Sequence, residues 1–294
     1  MKGGPIGIVG VGNMGGAMAL RLLELGHEVH VRDIDPAREA ALRPHGARVS
    51  PAPAALAACC ALVIVAVVDA AQTDEVLFGG CGAAAALSPG ACVMLCPTLG
   101  PASTETIAAR LEERGIDCID APMSGGPARA RDGSMSLMVA CADAVFERHR
   151  RVIEALSAQV FRVGVRAGDG ARTKLVNNLL AAINLAGAAE ALALAERVGL
   201  DLGRTLDVIE HSSGQSWIGS DRMRRAIVGD LAPRAQTTLL AKDSRLALEM
   251  AAAASLATPL GAQAADAFAR ACRLGFGELD DASLLALMRE PARP

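Results

Sequence analysis

The chain has 294 residues, 52% of them hydrophobic, and a formal net charge of −3; this length allows two domains, each with a core of its own. The small negative charge argues against a nucleic acid or an acidic membrane surface as partner, and we find no charge-free apolar run long enough to span a bilayer. The first residues run directly into a strand, so we expect no signal peptide, no membrane anchor and a cytoplasmic location. Only 2% of the residues are aromatic, which predicts a core built from Ala, Leu, Val and Met.

The cysteines show neither a Cys-x-x-Cys pair nor a histidine at ligand spacing, so no metal site is predicted. We expect them to be small buried hydrophobic residues of a protein in a reducing compartment. The eight positions are 59, 60, 81, 92, 96, 118, 141 and 272.

A glycine-rich turn between a short strand and a helix opens the chain. The apolar run that begins at Ile6 ends at Gly10, and Gly10, Gly12 and Gly15 follow the Gly-x-Gly-x-x-Gly spacing. The first glycine permits a sharp turn, the second lets a pyrophosphate approach the backbone, and the third lets helix and strand pack closely. The helix N-terminus favours the negative phosphates. The apolar residues that recur at helical period are Met14, Ala17, Met18, Leu22 and Leu25.

An acidic residue follows the second predicted strand. Asp33 comes directly after the run from Val29 to Arg32, the position of a carboxylate that binds the adenosine ribose of a dinucleotide. This carboxylate would repel a 2′-phosphate, which favours NAD over NADP, although Arg32 and Arg38 are close in sequence. The alternative is a glycine-rich loop of some other α/β protein, with Asp33 solvated.

Strand-like and helix-like segments alternate over the first half of the chain, a pattern that predicts a mostly parallel sheet with helices on both faces. Further strands are predicted at 62–68, 92–96, 118–120, 137–140 and 160–163, and helices at 70–78, 103–114 and 143–158.

The strand signals stop at about Gly168. Residues 172–198 are apolar nearly all round and predict a helix of about 40 Å, which must be buried, packing between domains and against a second subunit. We therefore predict an α/β fold with a Rossmann-type doubly wound sheet over 1–166, followed by an all-α substrate and dimerisation domain over 167–294 with a long interdomain helix. Its other helices are predicted at 204–212, 236–254, 261–275 and 282–289.

A lysine is the strongest candidate for a general base. Four of the five histidines lie in the first βαβ unit or in a polar helix, and the fifth, His211, is more typical of a surface or core residue. Lysine occurs only at positions 2, 174 and 242. Lys174 stands in the first turns of the long helix with Asn178 at i+4 on the same face, so that an ammonium and a carboxamide point together. The alternative is a solvated lysine followed by two capping-type asparagines.

Two other segments could bind an acid. The Ser124-Gly125-Gly126 turn can direct a hydroxyl and successive N–H groups at a carboxylate, or it can simply connect a strand to a helix. Lys242, next to Asp243 in an otherwise apolar helix, could supply a second cation to cofactor and substrate, or form a local salt bridge.

These stretches, in this order and over nearly the whole chain, resemble the β-hydroxyacid dehydrogenase family. The resemblance implies that Lys174 is the acid/base, that Asn178 orients the substrate and that residues 124–126 hold its carboxylate. It also implies a C-terminal domain that dimerises through its long helix, often within a tetramer. The motifs are Gly10-x-Gly12-Asn13-Met14-Gly15, the run from Asp120 to Gly126, Gly168-x-Gly170-x-x-x-Lys174-x-x-Asn177-Asn178, and Lys242-Asp243.

Within the family, segments such as Ser216-Trp217 look most like the L-threonate dehydrogenase branch, which implies a four-carbon sugar acid; 3-hydroxyisobutyrate and tartronate semialdehyde are related substrate types. The alternatives are an imine reductase on the same scaffold, in which the lysine is usually replaced, and a non-catalytic NAD-binding sensor. The implied substrate-binding residues are Ser124, Gly125, Gly126, Trp217 and Lys242, and the implied cofactor-binding residues are Gly10, Val11, Gly12, Asn13, Met14, Asp33, Val67, Val68, Thr98 and Lys242.

Overall fold

The computed structural model describes residues 4–289, which fall into two compact units divided after Lys174. All strands of the described chain belong to the first unit and form one sheet. They are β1 (Ile6–Val9), β2 (Val29–Arg32), β3 (Arg48–Val49), β4 (Leu62–Val65), β5 (Cys92–Leu95), β6 (Asp117–Asp120), β7 (Met123–Ser124), β8 (Ser136–Ala140) and β9 (Gln159–Gly164).

The strand order is β3-β2-β1-β4-β5-β6-β8-β7, and β9 pairs with β8. The first six strands pair in parallel, β8 runs antiparallel to β6 and β7, and β9 is parallel to β8. This doubly wound order confirms the predicted Rossmann-type sheet.

Helices cover both faces of the sheet because alternate strand residues point in opposite directions. Ile8 belongs to one buried cluster and Val9 to the other, and the same alternation continues along β4. The helices that connect the strands are α1 (Asn13–Glu24), α2 (Pro36–Leu42), α3 (Pro53–Ala57), α4 (Ala70–Phe78), α5 (Pro101–Glu112), α6 (Gly126–Asp132) and α7 (Asp143–Leu156).

The apolar period of α1 predicts its buried face, with one error. Ala17, Met18 and Leu22 are buried, and Met14 packs against the same cluster. Leu25, however, is 46% exposed, because the helix ends at Glu24 and the chain turns at Gly26, where φ is +80°.

The long helix α8 (Asp169–Arg197) begins in the first unit and continues into the second, whose described part contains helices and no strand. This confirms the predicted all-α C-terminal part. Its core is assembled from Ala and Leu with Met223 and Phe268. The other helices are α9 (Leu202–Glu210), α10 (Trp217–Ile227), α11 (Thr237–Ala253), α12 (Pro259–Ala271) and α13 (Leu284–Arg289), with a π-helical turn at Cys272–Phe276 and 3₁₀ turns at Arg43–His45, Ala83–Ala85 and Asp281–Ser283.

By length and composition α8 could span a membrane, and 39% of its most apolar window is buried within the protein.

One expectation from composition needs correction. Cys59 and Cys81 are exposed, whereas Cys60, Cys92 and Cys96 are buried as expected, together with Cys141. Cys59 lies just beyond α3, where the chain turns toward β4, and so leaves the packed face of that helix.

Candidate active site

The glycine turn has the local geometry that its spacing predicts. Gly10 has φ of +88°, and a Cβ there would lie 2.8 Å from the carbonyl oxygen of Ala66. A Cβ on Gly15 would lie 1.9 Å from the carbonyl oxygen of Gly10. The start of α1 therefore packs directly on the turn, and neither position can carry a side chain without displacing backbone.

The N-terminus of α1 borders an open cavity of about 430 Å³. Gly12 is the N-cap and has no side chain to bond the first-turn N–H groups, which can therefore face a ligand phosphate. Val11, Gly12 and Asn13 line this cavity together with Arg38 and Arg131. Arg131 is paired with Glu24, so the uncapped N–H groups beside the Arg38 guanidinium are what fits the pyrophosphate of a dinucleotide.

Asp33 lies at the end of β2 and is 6% exposed. Its Oδ2 accepts a hydrogen bond from the N–H of Val11 at 2.7 Å, and its Oδ1 accepts one from Asp35 at 2.9 Å. An ionised carboxylate has about four acceptor sites, so these bonds leave capacity for ribose hydroxyls. The bond to Val11 also ties Asp33 directly to the glycine turn.

The two arginines near Asp33 have different partners. Arg32 donates to Oε1 of the buried Glu39 at 2.8 Å, and Glu39 also accepts from the N–H of Asp33. Arg38 is exposed and lies 3.9 Å from Asp33 Oδ2 and 3.5 Å from Asp35. Arg32 is thus engaged by Glu39, and Arg38 is the cation that borders the predicted adenosine position.

Three other predicted residues lie in loops at one edge of the sheet. Val67 and Val68 follow β4, and Thr98 follows β5. Because β1, β4 and β5 are neighbours and parallel, the loops after them lie at the same edge as the glycine turn. The topology therefore brings these residues to the edge where an α/β sheet binds its ligands.

The predicted carboxylate-binding turn follows β6 at this end of the sheet. Ser124 ends β7 and pairs with Ser136 of β8, while Gly125 and Gly126 have φ of +125° and +75°. These angles strongly favour glycine. The turn thus holds the Ser124 hydroxyl beside two consecutive backbone positions that carry no side chains.

Lys174 and Asn178 lie on the buried face of α8, at 7% and 8% exposure respectively. The burial of Lys174 argues against a solvated lysine. The Asn178 carboxamide is held on both sides: its Nδ2 donates to Oδ2 of Asp243 at 2.6 Å, and its Oδ1 accepts from Asn177 at 3.0 Å. The orientation of Asn178 is therefore fixed, and a second Nδ2 hydrogen remains.

Asp243, for which the sequence suggests only a local salt bridge with Lys242, also contacts a candidate site residue. It is buried in α11, and its Oδ1 lies 2.8 Å from Nζ of Lys242. The local salt bridge considered for Lys242 is therefore present. The only signal in the sequence is a carboxylate next to one of the few lysines, and it does not indicate Asn178 because the bond between them joins residues 65 positions apart.

The remaining substrate candidate, Trp217, begins α10 and is 54% exposed. The Arg222 guanidinium lies 5.9 Å from the centre of its ring. The structure does not connect Trp217 with the other predicted substrate residues through any described hydrogen bond.

The comparisons with known proteins agree with this geometry. Residues 5–164 match the family model of the NAD binding domain of 6-phosphogluconate dehydrogenase, and residues 168–288 match the model described as NAD-binding of NADP-dependent 3-hydroxyisobutyrate dehydrogenase. The L-threonate dehydrogenase of Cupriavidus necator is 37% identical over 96% of this chain and 95% of its own. The 3-hydroxyisobutyrate dehydrogenase of Pseudomonas aeruginosa is 36% identical over 90% of each chain.

A solved structure shows the same fold along the whole length. The crystal structure of a 3-hydroxyisobutyrate dehydrogenase from Salmonella typhimurium superimposes with a TM-score of 0.91 at 34% identity, covering 97% of this chain and 100% of the other. The family expected from the four motifs is confirmed: the chain belongs to the β-hydroxyacid dehydrogenases and is an NAD(P)-dependent hydroxyacid dehydrogenase.

Proposed function

We propose that the protein uses NAD to oxidise a short sugar acid of the L-threonate type, with Lys174 as the general acid/base. The observation that carries the proposal is the buried face of α8, on which an amine and an oriented carboxamide lie one turn apart. The similarity to the L-threonate dehydrogenase of Cupriavidus necator supports the substrate class.

We propose functional domains at 1–166 and 167–294. The matching family model changes between residues 164 and 168, which is consistent with this division.

The chain's own residues would divide the work in the following way. Ser124 and the backbone at Gly125 and Gly126 would hold the substrate carboxylate. Asn178 would bind the reacting hydroxyl through its remaining Nδ2 hydrogen, and Lys174 would accept the hydroxyl proton at Nζ in oxidation and return it in reduction. A bound nicotinamide supplies the hydride acceptor or donor. Lys242 is proposed to supply a second cation to the cofactor and the substrate acid, and Trp217 is proposed to contact the substrate.

We propose NAD rather than NADP because of the charges around Asp33. A buried carboxylate would repel a 2′-phosphate, and Arg32 is engaged by Glu39.

Replacing Asp33 with Asn keeps an oxygen that can accept a hydrogen bond from the N–H of Val11 but removes the negative charge. We expect Asp33→Asn to lower the NAD to NADP ratio of kcat/KM by about tenfold or more, because Arg38 then faces the phosphate without a competing carboxylate. An unchanged ratio would show that Asp33 does not select the cofactor.

The catalytic proposal is tested by following NADH formation at 340 nm with a panel of C3 to C6 hydroxy acids. We expect turnover with a four-carbon sugar acid and a fall in kcat of about 100-fold or more in Lys174→Ala. Lys174→Arg keeps the charge but cannot lose a proton at neutral pH, so it should be equally impaired. Full activity of Lys174→Ala would refute the mechanism.

The same panel separates the alternative functions. An imine reductase would turn over cyclic imines and no hydroxy acid, and a sensor would bind NAD tightly with no turnover of either class.

We further propose a cytoplasmic protein that forms a homodimer or homotetramer through its C-terminal helices. The exposed Val176, Leu180 and Leu194 of α8 support this assembly, and sedimentation equilibrium tests it.

A further inference from the structure

The first turn of α8 is capped by a carboxylate from a distant strand. Asp120, the last residue of β6, is 2% exposed. Its Oδ2 accepts hydrogen bonds from the N–H of Gly168 at 2.8 Å and from the N–H of Ala171 at 3.1 Å.

Asp120 performs the role of an N-cap side chain that the helix itself lacks. A helix leaves its first N–H groups without intrahelical partners, and a side-chain oxygen at the N-cap commonly accepts one of them. Here the residue before the helix is Gly168, which has φ of +98° and no side chain. The cap is instead supplied from 48 residues earlier in the sequence.

The local sequence is adapted to this close approach. A Cβ on Gly170 would lie 2.8 Å from Cγ of Asp120 and 2.8 Å from the carbonyl oxygen of Met138. The helix start is therefore packed against the end of β6 and the middle of β8, and only glycine fits at the second position of the helix. Arg172 adds ion pairs to Glu105 and Asp169 around the same turn.

Asp120 also stands between two parts of the proposed reaction site. On one side, Ala121 continues directly into the loop that contains Ser124, Gly125 and Gly126. On the other, Ala171 lies one helical turn before Lys174. A single buried side chain therefore joins the strand that precedes the carboxylate-binding loop to the helix that carries the amine.

We propose that Asp120 is a positioning residue that fixes the first turn of α8, and with it Lys174, relative to the loop at residues 124–126. This proposal rests on the function proposed above. It assigns no contact between Asp120 and the substrate, and it explains why a costly buried carboxylate is present where a neutral N-cap residue in the helix itself would satisfy the same donors.

The test compares Asp120→Ala and Asp120→Asn with a control on the same strand, Asp117→Asn, whose carboxylate pairs with the partly exposed Arg148. Misplacing a catalytic group by about 1 Å can cost roughly 100-fold in rate. We expect kcat to fall by about 100-fold in Asp120→Ala and by about tenfold or less in Asp120→Asn, which keeps one acceptor oxygen. The KM for NAD should stay within about twofold of wild type, because the glycine turn is not involved, and Asp117→Asn should keep wild-type kcat.

A second readout does not depend on turnover. Amide hydrogen exchange of the peptide covering 165–175 should accelerate by about tenfold or more in Asp120→Ala, while exchange in β1 and β4 stays unchanged. If wild type turns over no hydroxy acid, the proposed function fails, and exchange still tests whether Asp120 anchors the helix. The positioning role is overturned if exchange of this peptide is unchanged, or if folded Asp120→Ala keeps wild-type kcat.

Discussion

At the scale of single residues, two buried carboxylates orient the groups to which we assign chemistry. Asp243 holds the Asn178 amide, and Asp120 caps the helix that carries Lys174. The glycine spacing and the lysine stood out in the sequence because their roles depend on near neighbours. The roles of Asp120 and Asp243 depend on contacts 48 and 65 positions away, which no local pattern reports.

Substituting Asp243 tests the first of these roles. In Asp243→Asn the amide at position 178 loses its charged acceptor, and the ion pair with Lys242 is removed. We expect kcat to fall by about tenfold, since a hydrogen bond to a charged partner contributes roughly 1.5–3 kcal/mol. Glu249→Gln, in the same helix, is a matched control. Glu249 forms an exposed ion pair with Arg245, and such pairs contribute little to stability. Steady-state kinetics of both variants measures the effect. Wild-type kcat in Asp243→Asn would show that Asp243 does not orient Asn178.

Two glycines of α8 should respond in opposite ways to alanine. A Cβ at Gly170 meets backbone at 2.8 Å, whereas Gly187 has no atom within 4 Å of the added Cβ. We expect Gly170→Ala to lower the free energy of unfolding by about 2 kcal/mol and Gly187→Ala to raise it by up to about 1 kcal/mol. Urea denaturation of the two variants measures both. Destabilisation by Gly187→Ala would indicate that a partner packs closely there.

At the scale of elements, the errors of sequence prediction have specific causes. The starts of α5 and α12 were predicted two residues late because Pro101 and Pro259 were not included, although proline is favoured at the first helical position. The short helices α2, α3 and α6 were missed because five to seven residues give too little periodicity. α10 was missed because four charged side chains dominate its eleven residues.

One buried ionic cluster should control the stability of the helical unit. Asp280 is fully buried, accepts from the N–H groups of Arg234, Ala235 and Ala282, and lies 2.9 Å from Arg225. Removing one partner of a buried ion pair typically costs 3–5 kcal/mol. We therefore expect Asp280→Ala to lower the free energy of unfolding of this unit by about that amount. Circular dichroism would show this destabilisation as a loss of helical signal at a lower temperature. An unchanged melting curve would contradict a stabilising role for Asp280.

At the scale of the whole molecule, two buried carboxyl groups should make stability depend on pH. Burial raises the pKa of Asp120 to about 6, against the opposing effect of the N–H groups of α8, and raises the pKa of Asp281 to about 7 despite its pairing with Arg222. Both values lie above those of the unfolded chain. The stability that these groups contribute is therefore fully present below about pH 4, where an unfolded aspartate is also protonated, and is lost as the pH rises through 6 and 7.

The melting temperature should accordingly fall between pH 5 and pH 8. Asp120→Asn cannot ionise, so its melting temperature should fall less over this range, by a difference on the order of 2 kcal/mol in unfolding free energy, or several degrees. Differential scanning calorimetry in buffers of equal ionic strength measures the two profiles. Parallel profiles would show that Asp120 titrates in the folded protein as it does in the unfolded chain.

The cap on α8 also limits how the chain can be divided for expression. A fragment that ended at residue 166 would follow the predicted domain boundary, yet it would remove Gly168 and Ala171, whose N–H groups bond Asp120. The Asp120 carboxylate would then lose these hydrogen bonds, and the surface that the first turns of α8 cover would be exposed. The first unit is therefore best produced with its end beyond Lys174, so that the first turns of α8 accompany the sheet.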